Sequence, residues 1–524
     1  MRSKSLVATC LYFSLYVFGL LLSMVANFVF FIPQIIWGRA VPPKKLTVNR
    51  HDTNYYYSVY DNKFKTRAVF DSRNETVLML ILNFLMKYVL NAFCFFGAYA
   101  RDIQYSVGSV WQVILHKFYQ ACVYSIIYSK SSSDIPADFH ENDNDLKYVI
   151  ENFGAPYVKK VDNGYVIDLL ELQSLETRDE NYYKFGAKMY LDNEFNPIFI
   201  ETVDIDDQSK NTVYYPDTKT WGYGKMMLIA SVFFYATVVD HLVVIHLIFG
   251  SIMSNAVYDS LPEGHELLAF LKPHTSYNYI VNESADFFLI NKLSLLSIAS
   301  PYSYPVLKKV INETTRKFKY NEFRERVDRW THIDDPKHYP FGHFSKSYID
   351  IIRSHVTQYF TYYGYDKLDY KNLPCDLNNF VTSLNSSNAE VLDPCIDINS
   401  FDDFVELLTI YLYATTVFHE TIGGNPEKLI HANKNPLVLI QKGLKVSLLS
   451  ETAVFVVGIV NNFGRLSRLI DLQPYNNDPT VVDITKEFIS KLNVLSVDMR
   501  TYNYKLDKHY ESIDPYLLET HAQY

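Results

Sequence analysis

KMMLIASVFFYATVVDHLVVIHLIFGSIMSNAVY, residues 225 to 258, decides how this chain is read. A helix on the surface of a soluble domain is apolar along one stripe. This run is apolar around its whole circumference, which places it inside a large protein core or a membrane. It carries two histidines, His241 and His246. In a regular α-helix, residues five apart lie ~140° apart around the axis, a poor arrangement for sharing one ion. A single π-type turn would bring both rings to one side, and such turns concentrate at functional sites. Two readings stay open at this point: two core histidines each bonded to a carbonyl, or a pair of metal ligands.

Downstream, residues 261 to 285 read LPEGHELLAFLKPHTSYNYIVNESA. Leu261, Pro262, His265, Pro273, His274, Tyr277, Asn282 and Ala285 form a pattern that resembles the segment following the first two iron ligands of lipoxygenases. That family also has a Trp twenty residues before the first ligand and a Lys four after the Trp, and Trp221 and Lys225 occupy both places. The resemblance implies a mainly α fold: a lipoxygenase-type helical catalytic domain with a small β-hairpin region.

The rest of the chain fits around this centre. With 524 residues, two or three folding units are expected. The formal charge of −9 leaves no basic footprint, so nucleic acid is not an expected partner. Five cysteines make no disulfide framework, though Cys375 and Cys395 share one loop region and could pair in an oxidising compartment. Residues 5 to 38 contain no charged side chain, against the ~20 apolar residues that span a bilayer. A cleavable signal has a shorter apolar core, so residues 1–40 read as a transmembrane anchor and the protein as membrane-localised. Residues 41–145 read as an apolar, helical, membrane-associated region and linker. Its two apolar runs contain Lys87, His116 and Lys117, which favour interfacial or core packing over lipid-exposed spans. No strand-rich segment is visible for the N-terminal β-sandwich of many eukaryotic lipoxygenases.

Residues 146–524 form the expected catalytic domain. It opens on VKKVDNGYVIDLL (158–170), where alternating residues flank Asn163-Gly164, a strong hairpin signal. A second hairpin is expected in MYLDNEFNPIFIETVDI (189–205). A Tyr-Pro-aromatic turn at 339–341 leads into an amphipathic helix carrying His343 and His355, both read as surface or half-buried and not as ligands. FDDFVELLTIYLYATTVFHETI (401–422) reads as a second buried helix, capped by Ser400 with Asp403.

By the resemblance, His241, His246 and His419 are metal ligands, and the α-carboxylate of Tyr524 takes the place of the family's C-terminal main-chain carboxylate. The sequence departs from the family at Gly423, four residues after His419, where a weakly coordinating side chain is usual. Asn425 is the nearest substitute, and water is the alternative. Three imidazoles and a carboxylate suit a non-haem iron centre, with manganese possible. The implied activity is a membrane-anchored dioxygenase that inserts O2 into a polyunsaturated fatty acid or lipid. Two rivals remain: an oxygenase or hydroperoxide-converting enzyme of the same fold acting on another lipid or polyene, and a non-enzymatic membrane protein retaining the fold. No nucleophile elbow, phosphate loop or paired-carboxylate motif is present. Four N-x-S/T sites, at Asn74, Asn282, Asn312 and Asn385, bear on glycosylation only if the domain faces the lumen or exterior.

Overall fold

The computed structural model describes residues 143 to 522 apart from 179, 181, 276–277, 279–281, 283–288, 290–295, 297–299, 334, 387–395, 424–439, 442–444, 447–467 and 507–512. The expected anchor (1–40) and nearly all of the 41–145 region lie outside the described residues, as do Cys395, Asn425 and Tyr524. Within them the chain is mainly helical with a small antiparallel sheet.

The chain enters through α1 (Asn144–Glu151) and builds a five-stranded sheet in the order β1-β2-β3-β4-β5, each strand antiparallel to its neighbour. β1 (Val158–Val161) and β2 (Gly164–Asp168) pair with Val161 opposite Gly164, so Asp162 and Asn163 form a two-residue turn. Gly164 sits at φ 138°, and a Cβ there would meet the Leu191 carbonyl oxygen at 2.1 Å, so only glycine fits. β3 (Ala187–Leu191) and β4 (Pro197–Val203) form the second expected hairpin, and β5 (Asn211–Tyr214) closes the meander.

The long helix α2 then runs 40 residues from Trp221 to Ser260; it is apolar enough to cross a membrane, yet it is buried within the protein along all but its last turn. At its start Trp221 Nε1 and Lys225 Nζ both bond the same oxygen of Asp143, each at 2.9 Å. The paired Trp and Lys thus fasten the entering chain to α2. Gly224 lets α2 approach the sheet, since a Cβ there would come within 2.9 Å of Tyr214.

Around α2 stand α3 (Glu266–Thr275), α4 (Tyr304–Lys317), α5 (Tyr320–His332), α6 (Pro340–Tyr362) and α7 (Cys375–Ser386). α8 continues through Phe401–Tyr413, Ala414–Phe418 and His419–Gly423, and α9 spans Pro479–Leu506. α6 packs against both α8 and α9, α7 against the last turns of α2, and α4 against the middle of α2. The start of α8 is capped as expected: Ser400 Oγ accepts from the Asp403 amide at 3.1 Å, and the Asp403 carboxylate accepts from the amide of the preceding Asn399 at 3.0 Å. The buried apolar side chains of sheet and helices form one continuous core.

Candidate metal centre

The middle of α2 is not α-helical. From Tyr235 to Gly250 it is wound as a π-helix, with α-helical turns on either side. Hydrogen bonds from i to i+5 set residues five apart one above the other. His241 and His246, which an α-helix would splay, come to the same side. A second π segment, Ala414–Phe418, interrupts α8 and ends at His419. The two ligand-bearing helices cross here, and the described residues bring three of the five expected ligands together.

The geometry is close. One donor nitrogen from each of His241, His246 and His419 lies within 4.8 Å of the others. The ring centroids stand 5.0, 4.8 and 5.1 Å apart, and His246 Nε2 is 3.2 Å from His419 Nε2. All three rings are buried. Burial holds the His241 pKa well below its ordinary value, helped by the charges His419 and His246 would carry. Burial and then the nearby His521 push that of His246 down to about 3.

A metal fits this donor set. Imidazole binds a metal only when neutral, and burial keeps His241 and His246 neutral. Two nitrogens on bonds of ~2.1 Å near a right angle stand ~3 Å apart, close to the His246–His419 separation. The same 3.2 Å would also suit a hydrogen bond between two neutral imidazoles. The third histidine favours the metal reading, because one shared proton cannot bring three rings together.

At the exit of the π winding two asparagines bond helix carbonyls that serine hydroxyls, Ser251 Oγ at 3.3 Å and Ser254 Oγ at 2.6 Å, also reach. Asn282 Nδ2 donates to the His246 carbonyl at 3.0 Å and to Ser251 Oγ at 2.7 Å. Asn278 Nδ2 does the same for the Gly250 carbonyl at 3.1 Å and Ser254 Oγ at 3.0 Å. Asn282 therefore clamps the backbone of an expected ligand and is buried, which excludes it as a glycan acceptor in the folded protein.

Two other motif residues, His265 and His274, have structural tasks nearby, while Tyr277 and Ala285 lie outside the described residues. His265 Nδ1 accepts from the Leu267 amide at 3.1 Å and caps α3. His274, at the end of α3, bonds the Thr520 carbonyl through Nδ1. Its partner belongs to the C-terminal segment, of which Ile513, Leu518, Thr520, His521 and Ala522 are buried.

The reading of His343 holds, since it is exposed. His355 needs correction. It is buried, its Nε2 lies 2.9 Å from Tyr475 Oη, and its ring stacks on Phe488 at 4.2 Å. An amphipathic pattern cannot anticipate that α9 and the segment before it cover this face of α6.

Sequence reasoning missed Asp240 and Arg326. Asp240 is fully buried beside His241, and both its oxygens are bonded by the Arg326 guanidinium, at 3.0 and 2.7 Å. The available signal was Asp240 itself, the one charged residue between Lys225 and Asp259. A carboxylate in so apolar a run requires a cation from elsewhere in the fold.

Comparison with known proteins bears on the fold. No family model matches the chain, and no curated protein matches its sequence. Solved structures do. A coral 8R-lipoxygenase superposes with a TM-score of 0.63 at 13% identity, over 76% of this chain and 70% of that one. The delta413-417:GS LOX in complex with arachidonate gives 0.63 at 14% identity over the same shares. A 9R-lipoxygenase from Cyanothece gives 0.55 at 12% identity, over 84% of this chain and 71% of that one. The described residues have the lipoxygenase fold.

Proposed function

We propose that this chain is a lipoxygenase-like dioxygenase that adds O2 to a polyunsaturated fatty acid or lipid at a non-haem iron held by His241, His246 and His419. The observation that carries the reading is the convergence of three buried imidazoles at the crossing of two π-wound helices. The delta413-417:GS LOX of the same fold has been seen with arachidonate, which supports a fatty-acid substrate here.

Bound at the triad, iron would supply the one-electron chemistry that removes a hydrogen atom from a doubly allylic methylene and lets O2 add to the pentadienyl radical. The protein's part is preparation. Burial keeps the lone pairs of His241 and His246 free of protons. The helix that carries His241 and His246 is buried on all sides, and both rings are themselves 3% exposed or less, which keeps bulk water away. Asn282 fixes the backbone of His246. The buried approach of residues 513–522 supports the Tyr524 carboxylate as a fourth ligand, because His521 already lies close enough to His246 to lower its pKa. Asn425 is a further candidate for the position that Gly423 leaves empty of side chain. The charge-free run 5–38 supports membrane anchoring, which would keep the enzyme beside a lipid substrate.

One observation favours a second reading. Gly423 is buried where the family places a weak ligand, and a changed ligand changes the iron's redox behaviour. An enzyme of this fold that converts lipid hydroperoxides is therefore the alternative. Incubating the full-length, detergent-purified protein with arachidonate under O2, and separately with its hydroperoxide, separates them. Oxygen uptake with formation of a conjugated-diene hydroperoxide is expected. Consumption of hydroperoxide without uptake on arachidonate would select the alternative, and inertness toward both in metal-loaded protein would overturn the enzymatic reading.

A further inference from the structure

A single guanidinium touches the residue that precedes each of two expected ligands on different helices. Arg326, on α5, forks onto both carboxylate oxygens of Asp240, the neighbour of His241. The centre of the same guanidinium lies 5.8 Å from the ring of Phe418, the neighbour of His419. Phe323 at 5.7 Å and Trp330 at 5.5 Å, both from its own helix, complete an aromatic setting for the charge. Asp240 lies inside the long π segment, and Phe418 is the last residue of the short one.

We infer that Arg326 is a positioning residue for the metal centre, holding the two π segments in the winding that aims His241 and His419 at a common point. This rests on reading the triad as a metal site. The physical case has two parts. A π-helix is rare, and in the α form His241 and His246 would stand ~140° apart. A tie at position 240 on one helix and 418 on the other resists rewinding to that form in both at once. Moreover, a buried ion pair is seldom the most stable choice, since apolar residues of similar volume generally do as well. Its place one residue from a ligand points to a task in geometry.

The same tie predicts how the centre fails. Losing Arg326 alone strands a buried carboxylate and can unfold the chain, so the informative variant replaces both partners with apolar residues. In Asp240→Leu/Arg326→Met the packing volume is kept and no charge is stranded. Arg326→Lys keeps the charge but loses the two-pronged bond.

The full-length protein, stripped of metal in detergent, is titrated with Co2+ against a chromophoric chelator, and the ligand-field spectrum of the complex is recorded. Circular dichroism of the metal-free forms reports folding. The double variant should fold, bind Co2+ at least ~10-fold more weakly than wild type and give shifted bands, with Arg326→Lys in between. A folded double variant with wild-type affinity and spectrum would overturn the positioning role and leave the metal site standing. So would an unfolded double variant beside a folded Arg326→Lys with the wild-type spectrum and affinity. If neither variant folds, the pair holds up the fold and the positioning role is likewise rejected. Wild type that binds no Co2+ would overturn both.

Discussion

The domain buries two groups of histidines, and they differ in what their nitrogens meet. In the second group, His274 bonds the Thr520 carbonyl, His355 bonds Tyr475 Oη, and His521 Nδ1 lies 3.1 Å from Thr520 Oγ1. The His274 and His355 rings also rest on aromatic neighbours, Phe270 for both and Phe488 for His355. In the triad the nitrogens turn toward one another. Burial depresses the pKa in both groups: to about 4 for His274, and to about 3 for His355, His521 and His246. A depressed pKa is thus chiefly a mark of burial and does not by itself tell the two groups apart. What separates a core histidine from a candidate ligand is whether the fold converges other imidazole nitrogens on it.

Four experiments would break or sharpen that contrast. The largest effect is on metal retention: His241→Ala or His419→Ala should lose the bound metal, whereas His355→Gln should keep it. Retention in all three, by elemental mass spectrometry, would erase the distinction between the groups. Next in size is the pH dependence of stability in metal-free protein. Between the unfolded pKa near 6.5 and a folded value of about 3, the unfolded chain carries a proton on His355 that the folded chain does not. Stability contributed by neutral His355 is complete above that unfolded pKa and lost as the pH falls toward 3, at ~1.4 kcal/mol per unit. Denaturant titrations from pH 7 to 4 should therefore fall less steeply for His355→Gln, by about one proton. Parallel slopes would show that His355 titrates normally.

Smaller is Asn282→Ala, which strips the clamp from the His246 carbonyl. Ser251 Oγ still donates to that carbonyl at 3.3 Å, so the lost hydrogen bonds cost ~1 kcal/mol in unfolding experiments, and metal binding should weaken by ~10-fold. Loss of stability with unchanged metal affinity would make Asn282 a packing residue only. The smallest is Ser400→Ala at the remote end of α8, expected to cost ~1 kcal/mol of unfolding free energy and to leave metal affinity alone. A change in affinity there would mean that the whole helix, and not its π segment, positions His419.

Much of this was legible in the sequence where information is local. The apolar circumference of 225–258 announced a buried helix, in a core or a membrane, Asn163-Gly164 a hairpin, and Ser400 with Asp403 a helix start. The five-residue spacing of His241 and His246 left core histidines and a metal pair both open, and the π turn was the condition for the second. What stayed hidden depends on distant partners. Arg326 lies 86 positions from Asp240, and Tyr475 lies 120 from His355. The targets of Asn278 and Asn282 are carbonyls of α2, 28 and 36 positions upstream. No periodicity records such pairings, since each side chain reads as an ordinary polar residue until the helices cross.

The most direct test is the metal content of full-length protein purified in detergent, measured by elemental mass spectrometry beside His246→Ala. Near one iron or manganese per chain, lost in the variant, is the result predicted by a triad that faces an ion. A folded wild-type chain without redox metal, or a variant that retains it, would reduce the three rings to a second set of core histidines.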